Sequence, residues 1–286
     1  MSKYYYNKDY FETIDTPEKA YWLGFLYADG CINSFYKNDE LRTMNLEISL
    51  CYKDRNHLQK FADCLESNVP IHDKISCFKD KKYKASRINI CCKKMCYDLI
   101  RLNCTPKKTF NISFPDDSIV PYIYKRDFLR GFFDGDGCIC TTLANGNPHI
   151  VLNITGIAGM LESISAFLIK EKVLRVIPKI HHDKRSCACS MYLYGTDTNK
   201  EILDYLYKDS TVYLDRKYKK YIDFYKDYQK IEKRGVYFDK TASVYVSAIY
   251  INGKKEVVGK FANIDDAIRA RKEAEIRKMN INKQPA

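Results

Sequence analysis

Hydrophobic and polar positions along the first half of this chain alternate between helical and strand-like spacing. Apolar residues at helical spacing run up to residue 29, and an alternating segment at 44–50 is typical of a half-buried strand. A second helical segment follows at 54–67, then a hairpin at 74–90 and a short helix at 96–102. The pattern predicts the order helix–strand–strand–helix–strand–strand–helix, in which Cys31-Ile32 comes directly after the first helix.

The second half of the chain repeats these elements in the same order. A strand is predicted at 150–155, a helix at 160–171, a hairpin at 176–194 and a short helix at 199–207. The first of these strands matches its counterpart at an offset of 152 − 46 = 106 residues, as the two sequences show: Leu46-Glu47-Ile48-Ser49 and Leu152-Asn153-Ile154-Thr155. We therefore predict an α+β fold with two pseudo-symmetric αββαββα repeats.

Each repeat contains an apolar run that ends in Asp-Gly-Cys-Ile. The runs are YWLGFLYADGCI at 21–32 and DFLRGFFDGDGCI at 127–139, and they align at an offset of 136 − 29 = 107 residues. Small residues recur four positions apart on one helix face of each run: Gly24 and Ala28, and Gly131 and Gly135. Because small residues let two helix backbones approach closely, we expect these two helices to pack against each other.

Such packing brings the acids Asp29 and Asp136 to the same end of the helix pair. Gly30 and Gly137 follow them, where a left-handed cap residue is expected. Two carboxylates beside the negative ends of two helix dipoles are unfavourable without a cation. A few oxygen ligands are typical of Mg²⁺, which keeps several water molecules. The residues predict a magnesium site; the alternative is two similar core helices, each ending in a capping Asp-Gly.

At these residues the chain resembles the LAGLIDADG homing endonucleases. The last acid of that motif corresponds to Asp29 and Asp136, and its closing glycine to Gly30 and Gly137. The resemblance implies a DNA endonuclease with its metal site at these four positions, where the two acids are the ligands of Mg²⁺, with Mn²⁺ as an alternative. It also implies the repeat fold given above, with the motif helices at the seam between the two halves.

The earlier acid of the motif differs between the copies, being Asp134 in the second and Tyr27 in the first. That position is not a metal ligand in the family, so the difference does not affect the expected cleavage. The resemblance further implies a basic residue beside each metal site, and Lys108 and Lys217 stand at equivalent places. Their charge is expected to assist phosphoryl transfer; the alternative is that they are surface lysines.

Both predicted hairpins carry basic residues. In the fold that the resemblance implies, two antiparallel ribbons per repeat form a saddle that follows the major groove of DNA. The predicted DNA contacts of the two repeats are Lys79, Lys81, Lys82, Lys84, Arg87, Lys179, Lys184 and Arg185. Such residues bind phosphates or base edges; the alternative is that they are solvated hairpin tips.

A charged, aromatic helix at 218–233 is predicted to end the second repeat. Three short strands and an amphipathic helix at 264–279 follow it. This tail resembles the ethylene-response-factor (APETALA-type) DNA-binding module at Gly235-Val236-Tyr237, Ile249, Asn252-Gly253-Lys254-Lys255, Gly259-Lys260-Phe261, Asp266-Ala267 and Ala270. The resemblance implies DNA contacts at Lys254 and Lys255. Tyr245 and Ser247 depart from the module's tryptophan and arginine positions, so no sequence specificity follows, and a stabilising appendage is the alternative.

Composition adds the class of partner. The 286 residues include 48 Lys and Arg against 36 Asp and Glu, a net charge of +12 that favours a polyanion such as nucleic acid. No run of 18 apolar residues and no signal sequence occurs, so we expect an intracellular protein without membrane contact, with its 12 cysteines mostly reduced. The group formed by His181, His182, Cys187 and Cys189 fits a strand–turn–strand better than a zinc site.

The sequence thus predicts three domains: a first LAGLIDADG repeat at 1–115, a second repeat at 116–228 and an APETALA-type module at 234–280. The expected function is site-specific cleavage of double-stranded DNA by a monomer, with one strand cut by each repeat. Two alternatives use the same fold: a maturase that binds intron RNA, and a DNA-binding regulator without catalysis. Loss of one or both acids would favour either alternative, and both acids are present.

Overall fold

The structure is a computed structural model that describes residues 4–78, 81–106, 112–144, 147–183, 187–232, 235–251 and 254–281. The chain divides into two compact units, Met1–Tyr221 and Ile222–Ala286. The two predicted repeats therefore lie within one compact unit, apart from the last residues assigned to the second. The predicted domain boundaries stay predictions.

The first half of Met1–Tyr221 has the predicted order of elements. They are α1 (Pro17–Asp29), β1 (Gly30–Lys37), β2 (Glu40–Cys51), α2 (Arg55–Cys64), β3 (His72–Phe78), β4 (Lys81–Cys91) and α3 (Lys93–Arg101). The strands form an antiparallel sheet in the order β1-β2-β4-β3. Thr16 caps α1 by accepting a hydrogen bond from the Lys19 amide, and Pro17 occupies the first turn, where its missing N–H costs nothing.

The second half repeats this topology. Its elements are α4 (Lys125–Asp136), β5 (Gly137–Ala144), β6 (Asn147–Gly156), α5 (Ala158–Lys170), β7 (Ile180–His182), β8 (Cys189–Leu193) and α6 (Thr196–Tyr207), followed by α7 (Asp215–Glu232). The sheet order β5-β6-β8-β7 matches that of the first half. The predicted α+β fold with two αββαββα repeats is confirmed.

The hairpin of the second repeat is shorter than the predicted segment at 176–194. The paired strands begin only at Ile180, and the register joins Ile180 to Met191 and His182 to Cys189. Pro178 explains the late start, because proline has no N–H to donate to a sheet. Val176 and Ile177, which precede it, lie exposed outside the sheet.

The two motif helices α1 and α4 lie in the core of this unit. Every residue of α1 from Ala20 to Tyr27 is buried, and α4 is buried from Phe128 to Asp134. A helix buried on all sides needs partners for its polar groups. Arg130 of α4 satisfies this need by donating to Asp127 at 2.7 Å and to the carbonyls of Val212 and Leu206 at 2.9 and 3.2 Å.

The second unit contains a three-stranded antiparallel sheet and a helix. Its elements are β9 (Val236–Asp239), β10 (Val244–Ile251), β11 (Lys254–Phe261) and α8 (Ile264–Ile281), with β10 in the centre of the sheet. The helix buries Ala267, Ile268 and Ala274. The predicted small sheet and helix at the C-terminal end are confirmed. Among the helices that the structure describes, none combines the length and apolarity needed to span a membrane.

Candidate functional site

The motif helices approach each other through a reciprocal pair of glycine contacts. A Cβ atom built on Gly24 would lie 2.0 Å from the carbonyl oxygen of Phe128, and one built on Gly131 would lie 1.9 Å from that of Tyr21. Gly131 and Phe128 stand 107 residues after Gly24 and Tyr21, so the contact has pseudo-two-fold symmetry. Only glycine fits at these two positions, because each backbone occupies the space of the other's side chain.

The same packing continues to the ends of both helices, where the acids lie. A Cβ atom on Gly135 would be 2.2 Å from Cβ of Ala28 and 3.4 Å from Oδ2 of Asp29. Asp29 is exposed, whereas Asp136 is half-buried. Asp136 lines a cleft of about 230 Å³. The other residues that line this cleft are Tyr27, Ala28, Ile112, Thr155, Gly156, Ile157 and Ala188. Both acids therefore lie at one end of the helix pair.

The expected left-handed caps after the acids are wrong. Gly30 has φ −77° and ψ 147°, and Gly137 has φ −87° and ψ 162°, which is extended backbone in both cases. Each glycine begins a strand directly and donates its N–H to a helix carbonyl, that of Leu26 or Phe133. A Cβ atom on Gly30 would lie only 2.7 Å from the Leu26 oxygen, and one on Gly137 only 2.5 Å from the Phe133 oxygen. The close approach of the helix carbonyl therefore explains why both positions are glycine.

The chemistry of the donors fits a hard divalent cation with few protein ligands. The protein supplies two carboxylates at the negative ends of two helices, an arrangement that a cation stabilises. Among the described residues, no group of three or more His, Cys, Asp or Glu side chains is arranged to hold a metal ion. Two carboxylates leave several positions for water and phosphate oxygens, as Mg²⁺ prefers. The metal site at Asp29 and Asp136, with Gly30 and Gly137 beside them, stays a prediction.

Lys217 binds the end of the second motif helix. Its ammonium donates to the carbonyl oxygens of Phe133 at 2.5 Å, Asp134 at 2.7 Å and Gly135 at 3.4 Å. These carbonyls belong to the last turn of α4. Carbonyl oxygens in the last turn of a helix have no N–H partner within the helix, and they carry the negative end of the helix dipole. The interaction holds the Lys217 ammonium against the helix turn that ends at Asp136.

The environment of Lys217 lowers the affinity of its amine for a proton. Burial lowers the pKa of Lys217 to about 8, while the carboxylates of Asp134 and Asp29 oppose this shift. Its predicted counterpart in the first repeat, Lys108, lies outside the described residues. The catalytic assignment of both lysines stays a prediction.

Asp134, the earlier acid of the motif, is the centre of a buried hydrogen-bond network. It accepts hydrogen bonds from the hydroxyls of Tyr21 and Tyr207 at 2.7 and 2.6 Å and from the Leu214 amide at 2.7 Å. Burial raises the pKa of Asp134, while Lys217 and the three donors oppose that shift. Asp134 thus joins α1, the end of α6 and the turn into α7, which carries Lys217.

Tyr27 occupies the corresponding position in the first repeat and makes the corresponding connection. Its hydroxyl donates to the carbonyl of Leu102 at 2.6 Å, at the end of α3. The Cys104 thiol donates to the carbonyl of Leu26 at 3.7 Å, the counterpart of the Phe133 carbonyl that Lys217 binds. A hydroxyl and a thiol in the first repeat thus replace the carboxylate and the ammonium of the second.

The sequence reasoning missed this network. Tyr21, Tyr207 and Leu214 lie 113, 73 and 80 residues from Asp134, and no local spacing relates them. His57 extends it, because its Nε2 lies 3.1 Å from the Tyr21 hydroxyl. Since that hydroxyl donates its one proton to Asp134, His57 must donate from Nε2. Its Nδ1 is buried and has no hydrogen-bond partner among the described residues.

Helix α2 of the first repeat holds the start of α7. Lys60 donates to Asp215 at 2.5 Å and to the Tyr213 carbonyl at 3.0 Å. Arg216 pairs with Asp54 at 3.2 Å, just before α2 begins. These contacts lie on both sides of Leu214, whose amide donates to Asp134. The position of Lys217 therefore depends on both repeats.

The predicted DNA-binding residues of the repeats lie on both faces of the sheets or beyond them. Lys79, Lys184 and Arg185 lie outside the described residues, and Lys81 is the first residue of β4. Lys82 and Lys84 share the strand parity of the buried Ile88, whereas Arg87 has the opposite parity. Lys179 is exposed before β7. Their contacts with DNA stay predictions.

Both sheets present a polar face opposite their buried side chains, which we call the open face. In the first sheet it carries Asn33, Asn45, Glu47, Ser49, Arg87 and Asn89. Asn45 donates to Asn89 at 2.7 Å, and Arg87 lies 3.6 Å from Glu47. In the second sheet the open face carries Asn153, Thr155, His181, Ser190 and Tyr192. The sequence search for basic residues missed these amides and hydroxyls, although strand alternation identifies them.

The His/Cys group of the second hairpin is divided between the two faces. His181 lies on the open face with its ring 5.6 Å from that of Tyr192. His182 and Cys189 form a cross-strand pair, with Nδ1 and Sγ 3.2 Å apart. Cys187 is exposed before β8. The strand alternation thus separates these side chains.

In the second unit, Lys254 and Lys255 begin β11 and are exposed. The Lys255 ammonium lies 4.4 Å from the centre of the Tyr237 ring on β9, a cation–π contact that spans the sheet. The predicted hairpin turn at Asn252-Gly253 lies outside the described residues. The DNA contacts of both lysines stay predictions.

Solved structures of LAGLIDADG homing endonucleases have a similar fold. I-GzeII in complex with its DNA target is 12% identical, with a TM-score of 0.52 over 77% of this chain and 91% of that chain. I-SmaMI bound to an uncleaved DNA target with calcium ions is 13% identical, with a TM-score of 0.52 over 77% and 92%. I-SmaMI bound to cleaved DNA is 15% identical, with a TM-score of 0.51 over 74% and 88%.

These identities are low, so the likeness concerns the fold. No family model matches the sequence, and no curated protein is significantly similar to it.

Proposed function

We propose that this protein is a site-specific, metal-dependent endonuclease that cuts both strands of DNA, one strand at each repeat. The observation that supports this best is the convergence of Asp29 and Asp136 at one end of a helix pair whose close approach requires Gly24 and Gly131. Two core helices without a function would have no need for an acid at the same end of each. The likeness in fold to DNA-bound LAGLIDADG homing endonucleases supports the same conclusion.

Asp29 and Asp136 would hold Mg²⁺, with Mn²⁺ as an alternative. A divalent ion at this position supplies activation of water and neutralisation of the leaving 3′-oxygen. Water and DNA phosphate oxygens would complete the coordination, since no third His, Cys, Asp or Glu side chain of the described residues is arranged to join the two acids. A similar fold, that of I-SmaMI, was solved with calcium ions present, which is consistent with use of a divalent metal.

Lys217 would provide the fixed charge of the second centre. Its three carbonyl partners hold the ammonium in place without neutralising it. A preorganised cation in a buried site stabilises the negative charge that develops in phosphoryl transfer more strongly than a solvated one does. Lys108 would have the same role in the first centre.

The open faces of the two sheets would contact the DNA. Asn, Arg and Glu side chains form hydrogen bonds with base edges in the major groove, and the first open face carries all three types. The two sheets have the same strand order, so a monomer with two unlike open faces suits an asymmetric target. Basic residues near the hairpins would bind phosphates and set the salt dependence.

The second unit would add a further contact with DNA, in the manner of an APETALA-type module. Its exposed lysines and the Tyr237–Lys255 pair support this role. The departures at Tyr245 and Ser247 leave its contacts with phosphates as the main contribution. The unit would therefore raise affinity more than specificity.

Cleavage of a randomised DNA library in Mg²⁺ tests the proposal. The wild type, Asp29→Asn, Asp136→Asn and the double variant are compared, with Asp39→Asn as a control in the exposed β1–β2 turn, where asparagine also accepts a positive φ. We expect the wild type and the control to cut both strands. Each single variant should nick one strand or lose activity, and the double variant should be inactive.

A wild type that binds DNA but does not cut it in Mg²⁺ or Mn²⁺ would contradict the proposal and favour a DNA-binding regulator. Preferential binding of structured RNA without cleavage of DNA would favour the maturase alternative. Cutting of both strands by the double variant would show that the chemistry lies elsewhere in the molecule.

A further inference from the structure

Two cysteines follow the second acid of the site. Cys138 and Cys140 lie on β5, two residues apart and therefore on the same face of the strand. Their sulfur atoms are 3.1 Å apart. Ile139 between them is buried, so the thiols lie on the face away from the core, with Cys140 exposed and Cys138 half-buried.

The first repeat lacks this pair although it has the same strand. Cys31 corresponds to Cys138 at the offset of 107 residues, but Asn33 stands where the second repeat has Cys140. The Cys31 thiol donates to the Asn33 amide oxygen at 3.5 Å. All 12 cysteines lie in the described part of the chain and are free thiols there. A dithiol therefore adjoins only one of the two acids.

Basic residues of α7 lie beside the thiols. The Lys220 ammonium donates to the carbonyl of Ile139, the residue between the two cysteines, at 2.5 Å. Cys138 also lies within electrostatic reach of Lys217 and Arg216. The strand segment that carries the dithiol is thus hydrogen-bonded to the helix that carries Lys217.

We propose that Cys138 and Cys140 form a reversible disulfide that controls the second centre. Same-face neighbours on a strand have Cα atoms about 6.6 Å apart, near the upper end of the range of about 4.4–6.8 Å that a disulfide spans. A disulfide also needs its Cβ atoms about 3.5–4.5 Å apart, closer than regular strand geometry leaves those of same-face neighbours. The bond therefore forms only with a local bend of the strand, and it is under strain. Strained and exposed disulfides are the readily reduced, regulatory ones.

A small-molecule disulfide, such as oxidised glutathione, is the oxidant. The exposed Cys140 attacks one of its sulfurs as the thiolate and expels one glutathione thiolate, which leaves a mixed disulfide. The Cys138 thiolate then attacks Sγ of Cys140 and expels the second glutathione thiolate. The dithiol loses two electrons and two protons, and the oxidant becomes two thiols. A reducing dithiol reverses both steps.

Formation of the bond pulls together residues that lie two and four positions after Asp136. Strand β5 begins at Gly137, directly after α4 ends at Asp136, with no loop between them. This consequence rests on the proposed function: oxidation should impair the second centre and leave the first intact. A displacement of about 1 Å at a catalytic group costs on the order of a hundredfold in rate. The oxidised protein should therefore nick DNA where the reduced protein cuts both strands.

The experiment treats the full-length protein with oxidised glutathione under native conditions and maps its disulfides by mass spectrometry. Cys140→Ser removes the bond, and Cys31→Ser is the matched control in the first repeat. Strand-specific cleavage is measured in parallel on DNA labelled on either strand. We expect a Cys138–Cys140 bond in the wild type and in Cys31→Ser but not in Cys140→Ser. Oxidation should abolish cleavage of one DNA strand in the wild type and in Cys31→Ser but not in Cys140→Ser. A reducing dithiol should restore that cleavage.

The proposal is overturned if Cys138 and Cys140 stay reduced, or if Cys140 retains glutathione, while other exposed thiols oxidise. It is also overturned if the bond forms but both strands are still cut equally. A reduced wild type that cuts no DNA would contradict the proposed function instead, and the mapped disulfide would still decide whether the dithiol closes.

Discussion

At the scale of single residues, the second repeat places two buried charged groups, Asp134 and Lys217, next to the helix end that carries Asp136. Asp134 accepts a hydrogen bond from the Leu214 amide and so orients the turn that leads into α7. Lys217, which lies on α7, donates to the last carbonyls of α4. Each charged group thereby satisfies donors or acceptors that would otherwise be buried without partners. In the first repeat, neutral groups on Tyr27 and Cys104 make the corresponding links.

Replacing Lys217 by methionine tests its role at the end of α4. The variant removes the donor from two buried carbonyls, each at 2.7 Å or less, so we expect the free energy of unfolding to fall by about 1–3 kcal/mol. Under the proposed function, cleavage of one strand should also fall sharply. Urea denaturation and strand-specific cleavage measure the two effects.

Lys219→Met is the control, because Lys219 is exposed on the same helix. Its stability should stay within about 0.5 kcal/mol of the wild type. Unchanged stability in Lys217→Met would mean that water replaces the ammonium at the carbonyls.

His57 gives the fold a dependence on pH. Burial lowers the pKa of His57 to about 3, and Lys60 adds to the effect. In the unfolded chain the pKa is about 6.5, so below that pH protonation favours the unfolded state. The free energy of unfolding should therefore fall by about 2 kcal/mol from pH 7 to pH 5 through this residue, and further towards pH 3.

The measurement is urea denaturation at pH 7 and pH 5 for the wild type and His57→Gln. Glutamine keeps a donor for the Tyr21 hydroxyl but does not titrate in this range. The pH-dependent loss should be smaller in the variant by about 2 kcal/mol. Equal losses in both proteins would show that His57 is accessible to protons in the folded state.

At the scale of elements, the helix pair α1–α4 decides where the acids lie. Backbone contact at Gly24 and Gly131 fixes the separation of the helices, and the contact of Ala28 with Gly135 extends it to the last turn. Both helices then continue directly into strands, so the two sheets begin at the acids. Any change that separates the helices moves both acids at once.

Gly24→Ala tests this packing. Its Cβ atom would lie 2.0 Å from the backbone oxygen of Phe128, which cannot rotate away. We expect a loss of about 1–3 kcal/mol in the free energy of unfolding, the usual cost of overpacking. Gly159→Ala in α5 is the control, because no described residue beyond its chain neighbours and the adjacent backbone of its own helix lies within 4 Å of its added methyl group. The control should be neutral or more stable by up to about 1 kcal/mol, and an equal loss in both would contradict the argument.

At the scale of the whole molecule, the net charge of +12 suits a polyanionic partner and is spread over both units. Electrostatic contacts with phosphates dominate affinity, whereas hydrogen bonds to base edges decide specificity. The open faces offer amides and hydroxyls, and the second unit offers exposed lysines. Under the proposed function, affinity therefore depends on exposed basic residues of both units, whereas specificity depends on the open faces.

Lys254→Gln combined with Lys255→Gln tests the contribution of the second unit. DNA affinity should fall for target and unrelated sequences alike, and the slope of log K against log salt should become less steep by about 2. Fluorescence anisotropy across a salt series gives both quantities. Lys240→Gln, an exposed lysine in the β9–β10 turn, is the control and should change neither. A loss confined to the target sequence would mean that the lysines contact bases instead.

The sequence by itself determined the duplicated order of elements, the small sheet and helix at the C-terminal end, and the two similar motif helices. Those features depend on local periodicity and on short capping and turn signals, which neighbouring residues encode. Only the tertiary structure decided the extended backbone of Gly30 and Gly137, since the entry of each strand depends on the helix carbonyl beside it. The same holds for the partners of Asp134 and Lys217, which lie 73 to 113 residues away in the chain. Contacts over such separations arise from the packing of whole elements, and no spacing within the sequence specifies them.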